Sequence, residues 1–256
     1  METIIIILLF TLGAIIGSFL NVLIYRLPKR ESILFPSSHC PDCHHPLRVR
    51  DNIPIISYLI LQGHCFHCKS SIPIRYFFVE LISAMSWIVL YFKFGLGFDF
   101  VLQMVLVSIL IVCTYTDLDH RRILNSVVLF GIGIGLAIII ILNPSMIMDS
   151  IFGMAAGLAF MLFWAVIGKL LFRQTALGTG DIKLAAMIGI FTGAKYILFI
   201  LILSFTLASI YVLFIALKKQ TVVGRRLPLA PFITAATLIT ILFGNELIQT
   251  YLDLIF

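Results

Sequence analysis

Eight apolar stretches, at roughly residues 4–24, 77–94, 100–116, 123–142, 150–171, 183–194, 196–217 and 229–252, run through this 256-residue chain. Most approach or exceed the roughly 20 apolar residues that cross a hydrocarbon layer about 30 Å thick. In lipid no water satisfies the backbone, so each such stretch must close its own hydrogen bonds as a helix. The expected fold is therefore an all-α polytopic membrane protein with about eight transmembrane helices. Composition agrees: 61% of residues are hydrophobic and 12% charged, against roughly 45–50% and about 25% in soluble domains. The sixth stretch is the shortest and starts beside a glycine-rich turn, as expected for a partial helix lying against its neighbours.

The chain starts Met1-Glu2-Thr3, without a basic leader region, and no small-residue cleavage site closes its first apolar run before Asn21 and Arg26. The first stretch is accordingly expected to stay as a span and not to be removed as a signal peptide. The net charge of +6 is distributed around the spans, so membrane topology explains it and a nucleic-acid partner is not expected. With the amino terminus outside, only Lys93 and Lys195 of the 18 Lys and Arg fall on the outer side. The rest, Arg173, Lys219, Arg225 and Arg226 among them, fall at or near the inner face, as cytoplasmic loops require. Both termini are then extracytoplasmic.

One long loop interrupts the pattern, dividing the chain into a first span (1–24), a small cytoplasmic domain (25–76) and a membrane-embedded region (77–256). The loop carries four of the five cysteines, as Cys40-Pro41-Asp42-Cys43 and, 21 residues later, Cys65-Phe66-His67-Cys68. Two such pairs present four thiolates to a tetrahedral zinc ion. Paired disulfides are the alternative, but they are rare in the reducing cytoplasm. Four sulfur ligands leave no open coordination position, so the zinc is expected to be structural. His39, His44, His45, His64 and His67 crowd the same loop; one of them can replace a cysteine ligand, and otherwise they read as solvated surface. Cys113 lies inside a span as a small hydrophobe. Glycines spaced by four, Gly13/Gly17, Gly131/Gly135 and Gly153/Gly157, are expected at close helix crossings.

Acids at membrane depth are costly unless they face a cavity, a partner or water. Glu80, Asp117, Asp119 and Asp181 qualify. Asp117 and Asp119 close the third stretch in Asp117-Leu118-Asp119, and their spacing by two aims them at different sides of a helix. Asp181 opens the sixth stretch in Gly178-Thr179-Gly180-Asp181-Ile182-Lys183, where the glycines permit a tight turn and close approach. The expected topology puts Asp117 and Asp181 at one depth. Two carboxyls a few Å apart share one proton and so supply both a base for water and an acid for the leaving amide. Each acid also has a plain structural reading: Asp117 and Asp119 pairing with Arg121 and Arg122, and Asp181 capping a helix.

These motifs together closely resemble the type IV prepilin peptidase family, competence-type members included. The resemblance runs from Gly17-Ser18-Phe19-Leu20-Asn21-Val22 and Tyr25-Arg26-Leu27-Pro28 through the cysteine loop to Arg75-Tyr76 and Val79-Glu80-Leu81. It continues with Asp117-Leu118-Asp119 and Gly178-x-Gly180-Asp181-x-Lys183. It implies an intramembrane aspartic endopeptidase with Asp117 and Asp181 catalytic, Gly178, Gly180, Lys183, Asp119 and Glu80 in support, and Cys40, Cys43, Cys65 and Cys68 around zinc. Its implied partners are prepilin-like precursors and the lipid bilayer of the bacterial cytoplasmic membrane, with the active site at the cytoplasmic face. Many members also methylate the new amino terminus with S-adenosylmethionine; no residue pattern here derives that activity. The chain departs from the family at Ile123-Leu124-Asn125, where proline usually stands in the middle, so an altered helix start is expected.

Two other classes fit part of the pattern. A proton- or cation-coupled transporter accounts for the acids and glycines but leaves the cysteine loop unexplained, and it calls for inverted repeats that are not visible. A non-catalytic zinc-loop scaffold accounts for the cysteines and predicts that neither aspartate matters.

Overall fold

The computed structural model describes residues 1–172, 177–218 and 227–255. Arg173, Lys219, Arg225 and Arg226, assigned above to the inner face, lie outside the described residues. The described residues form helices and irregular loops with no strand. The chain divides into two compact units, residues 1–95 and 96–256.

In the first unit, α1 (Glu2–Arg26) packs against α3 (Arg75–Phe94). The reason is the small-residue stripe. A Cβ on Gly13 would sit 2.8 Å from the Ala84 Cα, and one on Gly17 would sit 2.6 Å from the Glu80 Cα, so only glycine lets the backbones meet. Ser83 adds a hydroxyl bond to the Gly13 carbonyl at 2.7 Å. Between these helices the loop contains the five-residue α2 (Ile56–Ile60) and the two cysteine turns. Arg26, at the end of α1 and 6% exposed, gathers the loop by donating to the carbonyls of Ser32, Ile33, Pro36 and Ser37. Those carbonyls have no strand or helix partner, and the guanidinium fork satisfies several at once.

The second unit contains α4 (Phe98–His120), α5 (Asn125–Leu142), α6 (Ile147–Phe172), α7 (Thr179–Leu217) and α8 (Ala230–Ile255). Among the described residues, seven helices are long and apolar enough to cross a membrane. The sequence pattern gives eight stretches because the sixth and seventh both fall within the 39-residue α7. That element breaks at Gly193, whose φ of +73° is one that L-residues rarely adopt. Its two arms both meet α6: Gly157 faces Ala185 before the break and Ile197 after it. Asp149 accepts the Ala194 N–H at 3.1 Å and so caps the second arm. The other glycine pairs sit at crossings as well, Gly131 against Met187, Gly135 against Phe191 and Gly153 against Gly189.

Candidate functional site

At one end of the second unit the start of α5, the start of α7, the start of α8 and the end of α4 converge. Asp117 lies in the last turn of α4 and is 6% exposed. Its Oδ2 accepts the backbone N–H of Ala230, the first residue of α8, at 3.1 Å, and the Leu229 N–H also points to it. These donors are the unsatisfied first N–H groups of a helix, the positive end of its dipole. The pairing of Asp117 with Arg121 or Arg122 is thus replaced by an anion site on a helix end. Thr114, one turn earlier, bonds Thr234 at 2.8 Å and ties α4 to α8 a turn deeper.

Asp181 sits in the first turn of α7, half-buried, and is close enough to Asp117 to feel its charge. The glycines around it have steric reasons. A Cβ on Gly178 would come within 2.9 Å of the Asp181 Oδ2, and one on Gly180 within 2.9 Å of the Ile123 Cβ. Gly180 therefore lets the α4–α5 connection lie against the start of α7. Lys183, exposed, donates to the Asn125 Oδ1 at 3.0 Å and ties the same two helix starts together. Arg121 closes α4 in the left-handed region at φ +53°, its N–H bonding the Asp117 carbonyl at 2.8 Å. Leu124 precedes α5 with φ −77°, a value within proline's range, so α5 starts where the usual proline would start it. Asp119 is exposed at the end of α4.

In the first unit the Sγ atoms of Cys40, Cys43, Cys65 and Cys68 all lie within 4.8 Å of one another. Cys40 and Cys68 are 3.8 Å apart, and a tetrahedral ion with bonds of about 2.3 Å spaces its sulfurs by about 3.8 Å. Four such thiols can hold a metal ion. Burial pushes the Cys40 thiol up, but bonds from the Cys43 and Asp42 backbone, Ser70 and Cys65 outweigh it and leave it lowered to about 6. Cys68 is lowered chiefly by Ser70. For Cys43 the His45 backbone bond works downward, yet burial and the other three thiols push it up to about 12.

The two cysteine turns are copies of each other. The Cys40 N–H bonds the His45 carbonyl at 3.0 Å, and the Cys65 N–H bonds the Ser70 carbonyl at 2.8 Å. The residue after each second cysteine, His44 or Lys69, has positive φ, and the pairs His39/Pro46 and His64/Ser71 bridge across the turns. Of the five loop histidines, His44, His45, His64 and His67 are exposed and none joins the sulfur cluster.

Glu80 belongs to the first unit. It is 9% exposed on α3, and its Oε2 accepts the Ile55 N–H at 2.7 Å. Ile55 has φ +64°, an outlier for a β-branched residue.

Sequence reasoning did not find the α8 donors, Leu229 and Ala230. The available signal was Leu227-Pro228-Leu229-Ala230-Pro231, where a proline within the first helical turn marks a start. Nor did sequence reasoning find the duplication of the cysteine turn, for which the signal was His-Cys-x-x-Cys occurring twice.

Comparison with known proteins joins both units. The model of the bacterial peptidase A24 N-terminal domain matches residues 11–94, and that of the type IV leader peptidase family matches residues 104–213. A protein from Myxococcus xanthus is 37% identical over 76% of this chain and 58% of its own length. One from Bacillus subtilis is 31% identical over 96% of this chain and 98% of its own, and one from Pseudomonas aeruginosa 30% identical over 94% and 91%. Each of the three is named prepilin leader peptidase/N-methyltransferase. No solved structure matches.

Proposed function

The chain belongs to the type IV leader peptidase family, and we propose that it is an aspartic endopeptidase of the bacterial cytoplasmic membrane. In this reading it removes the short leader from prepilin-like precursors, competence or secretion pseudopilins among them. Asp117 and Asp181 are its catalytic pair. The observation that carries the proposal is the meeting of two acids, 64 residues apart in sequence, at one helix-end junction.

The chemistry follows from the pair. One carboxylate takes a proton from water as it attacks the scissile carbonyl, while the other carboxyl gives its proton to the leaving amide. The N–H groups of Leu229 and Ala230 fit Asp117 to the ionised, water-activating role; Asp181 is then the acid. Gly178, Gly180 and Lys183 hold the start of α7, and Asp119 is auxiliary. An apolar pilin stem can enter from lipid, leaving its basic leader in the cytoplasm and the scissile bond at the depth of the acids. Residues 25–76 form the cytoplasmic domain on this reading, with zinc at Cys40, Cys43, Cys65 and Cys68 as its staple, because a small module buries too little apolar area to fold unaided.

We carry methylation of the new amino terminus as a second activity, since the relatives' names include it. When bound, S-adenosylmethionine supplies an electrophilic methyl group on a sulfonium. The test for both is purified protein incubated with a membrane-anchored prepilin and S-adenosylmethionine, read by mass. Loss of the leader mass is the expected result; an intact precursor alongside folded, metal-loaded protein overturns the peptidase reading.

A further inference from the structure

The short helix α2 shows an apolar face to its surroundings. Tyr58 and Leu61 turn inward and are half-buried, with the Tyr58 hydroxyl bonding the Ile72 carbonyl at 3.3 Å. On the other side Ile56, Leu59 and Ile60, together with Ile53 just before the helix, are 40–74% exposed. Spacing by three and four puts Ile56, Leu59 and Ile60 on one helix face. Large aliphatic side chains grouped at a surface mark contact with another apolar phase.

The depth of this face follows from the bonds of α2 to α3. The Ile55 N–H bonds the Glu80 carboxylate at 2.7 Å, and the Tyr58 and Phe77 rings lie 5.6 Å apart. The 20 residues of α3 give it a length of about 30 Å, the thickness of one hydrocarbon layer. At about 1.5 Å per residue, Phe77 and Glu80 lie roughly 3 Å and 7 Å past its start at Arg75. The bonds thus hold α2 beside the first turns of a span, where the water meets the lipid.

The residues just before α2 supply charge. The turn Val49–Asn52 packs on α2. Arg48 and Arg50 are exposed there, and the half-buried Asp51 is the only acid between Arg48 and Ile60. Basic groups beside an aliphatic face are the composition of segments lying in the membrane boundary, with the apolar side among acyl chains and the cations at lipid phosphates.

We propose that residues 48–60 are an interfacial anchor that seats the cysteine loop on an anionic phospholipid leaflet. Ile53, Ile56, Leu59 and Ile60 enter the acyl region, and Arg48 and Arg50 meet the phosphates. The anchor also gives the Glu80 bond a purpose: it holds Ile55 in its positive-φ turn and so fixes the depth at which α2 starts. That the leaflet is the cytoplasmic one rests on the topology proposed above; the contact with lipid does not.

Photocrosslinking reads directly what covers the face. The full chain, with p-benzoylphenylalanine in place of Ile60 or, separately, of Leu59, is reconstituted in nanodiscs of equal parts phosphatidylglycerol and phosphatidylcholine. Illumination followed by mass analysis should give phospholipid adducts at both positions, with thermal unfolding unchanged. Phosphatidylglycerol adducts should outnumber phosphatidylcholine adducts roughly fivefold, the ratio that corresponds to about 1 kcal/mol per basic residue. Arg48→Gln combined with Arg50→Gln should bring that ratio to about one while lipid adducts persist. Crosslinks to residues 96–256 or to a second copy of the chain in place of lipid, or label quenched by solvent alone, overturn the proposal. So does a ratio near one with both arginines present. No cleavage is read, so failure of the peptidase reading leaves this outcome unaffected.

Discussion

The two sites are built in opposite ways. The cysteine cluster draws all its ligands from one stretch of 29 residues, Cys40 to Cys68, folded as two copies of one turn around a point. The acid pair draws on side chains in α4 and α7 and backbone donors at α8, held in place by helices packed along glycine stripes. The first arrangement is local and can close around an added ion; the second is dispersed and depends on helix packing. Each should therefore fail to a different insult.

The largest effect is expected from the acids. Asp117→Asn and Asp181→Asn should each lower leader cleavage by at least about 10³-fold, the scale of lost acid–base catalysis, with metal content and thermal unfolding unchanged. Asp119→Asn should keep much of the activity. Measured cleavage rates that leave either principal variant near wild type would remove that residue from the mechanism and bring Asp119 forward.

The complementary insult is metal loss. Cys40→Ala, or chelation, should take bound zinc from one per chain to near zero and open residues 38–71 to proteolysis, because metal binding and folding are one equilibrium in small modules. Limited proteolysis should find the helices of the second unit still protected. Acid should act in the same direction. Ligand thiolates leave the metal by taking up protons, and the ion holds them deprotonated below their free values, so metal release should begin only at a pH below about 6, the value of the metal-free Cys40 thiol. A chromogenic chelator followed against pH reads this; retention of all metal at pH 4 would contradict it.

A change of intermediate size probes the helix-packed site from outside the chemistry. Gly180→Ala forces a Cβ onto Ile123, with an expected cost of about 1–3 kcal/mol in stability. Cleavage should fall by about 10²-fold, the penalty for misplacing a catalytic group by about 1 Å. The same substitution should leave metal content unaltered, which sharpens the contrast between the units. The smallest effect is expected of Leu124→Pro: its φ already suits proline, so thermal unfolding should shift by no more than about 0.5 kcal/mol.

The two constructions also differ in how far a reader of the sequence can see them. Two Cys-x-x-Cys pairs announce a metal cluster because the chemistry and the spacing are adjacent in the chain. The duplicated turn behind them is hidden, since His44 and Lys69 share a backbone conformation and not a side chain. Apolar length identifies the helices, but hydropathy does not distinguish two spans from one 39-residue element broken at Gly193. Asp117 and Asp181 stand out because acids at membrane depth are expensive. Their third component does not, because Leu229 and Ala230 act through N–H groups that every residue but proline possesses. Glu80 could be singled out in the sequence, yet its bond to Ile55 required a loop whose conformation no periodicity describes.

The most direct test of the central claim, that Asp117 and Asp181 act as one device, is the cleavage rate of the double Asn variant beside the two single ones. Residues working as a unit are strongly non-additive, so the second substitution should add nothing measurable to the first. A double variant slower than either single one by the product of their separate losses would mean that the two acids act independently, and would contradict the account.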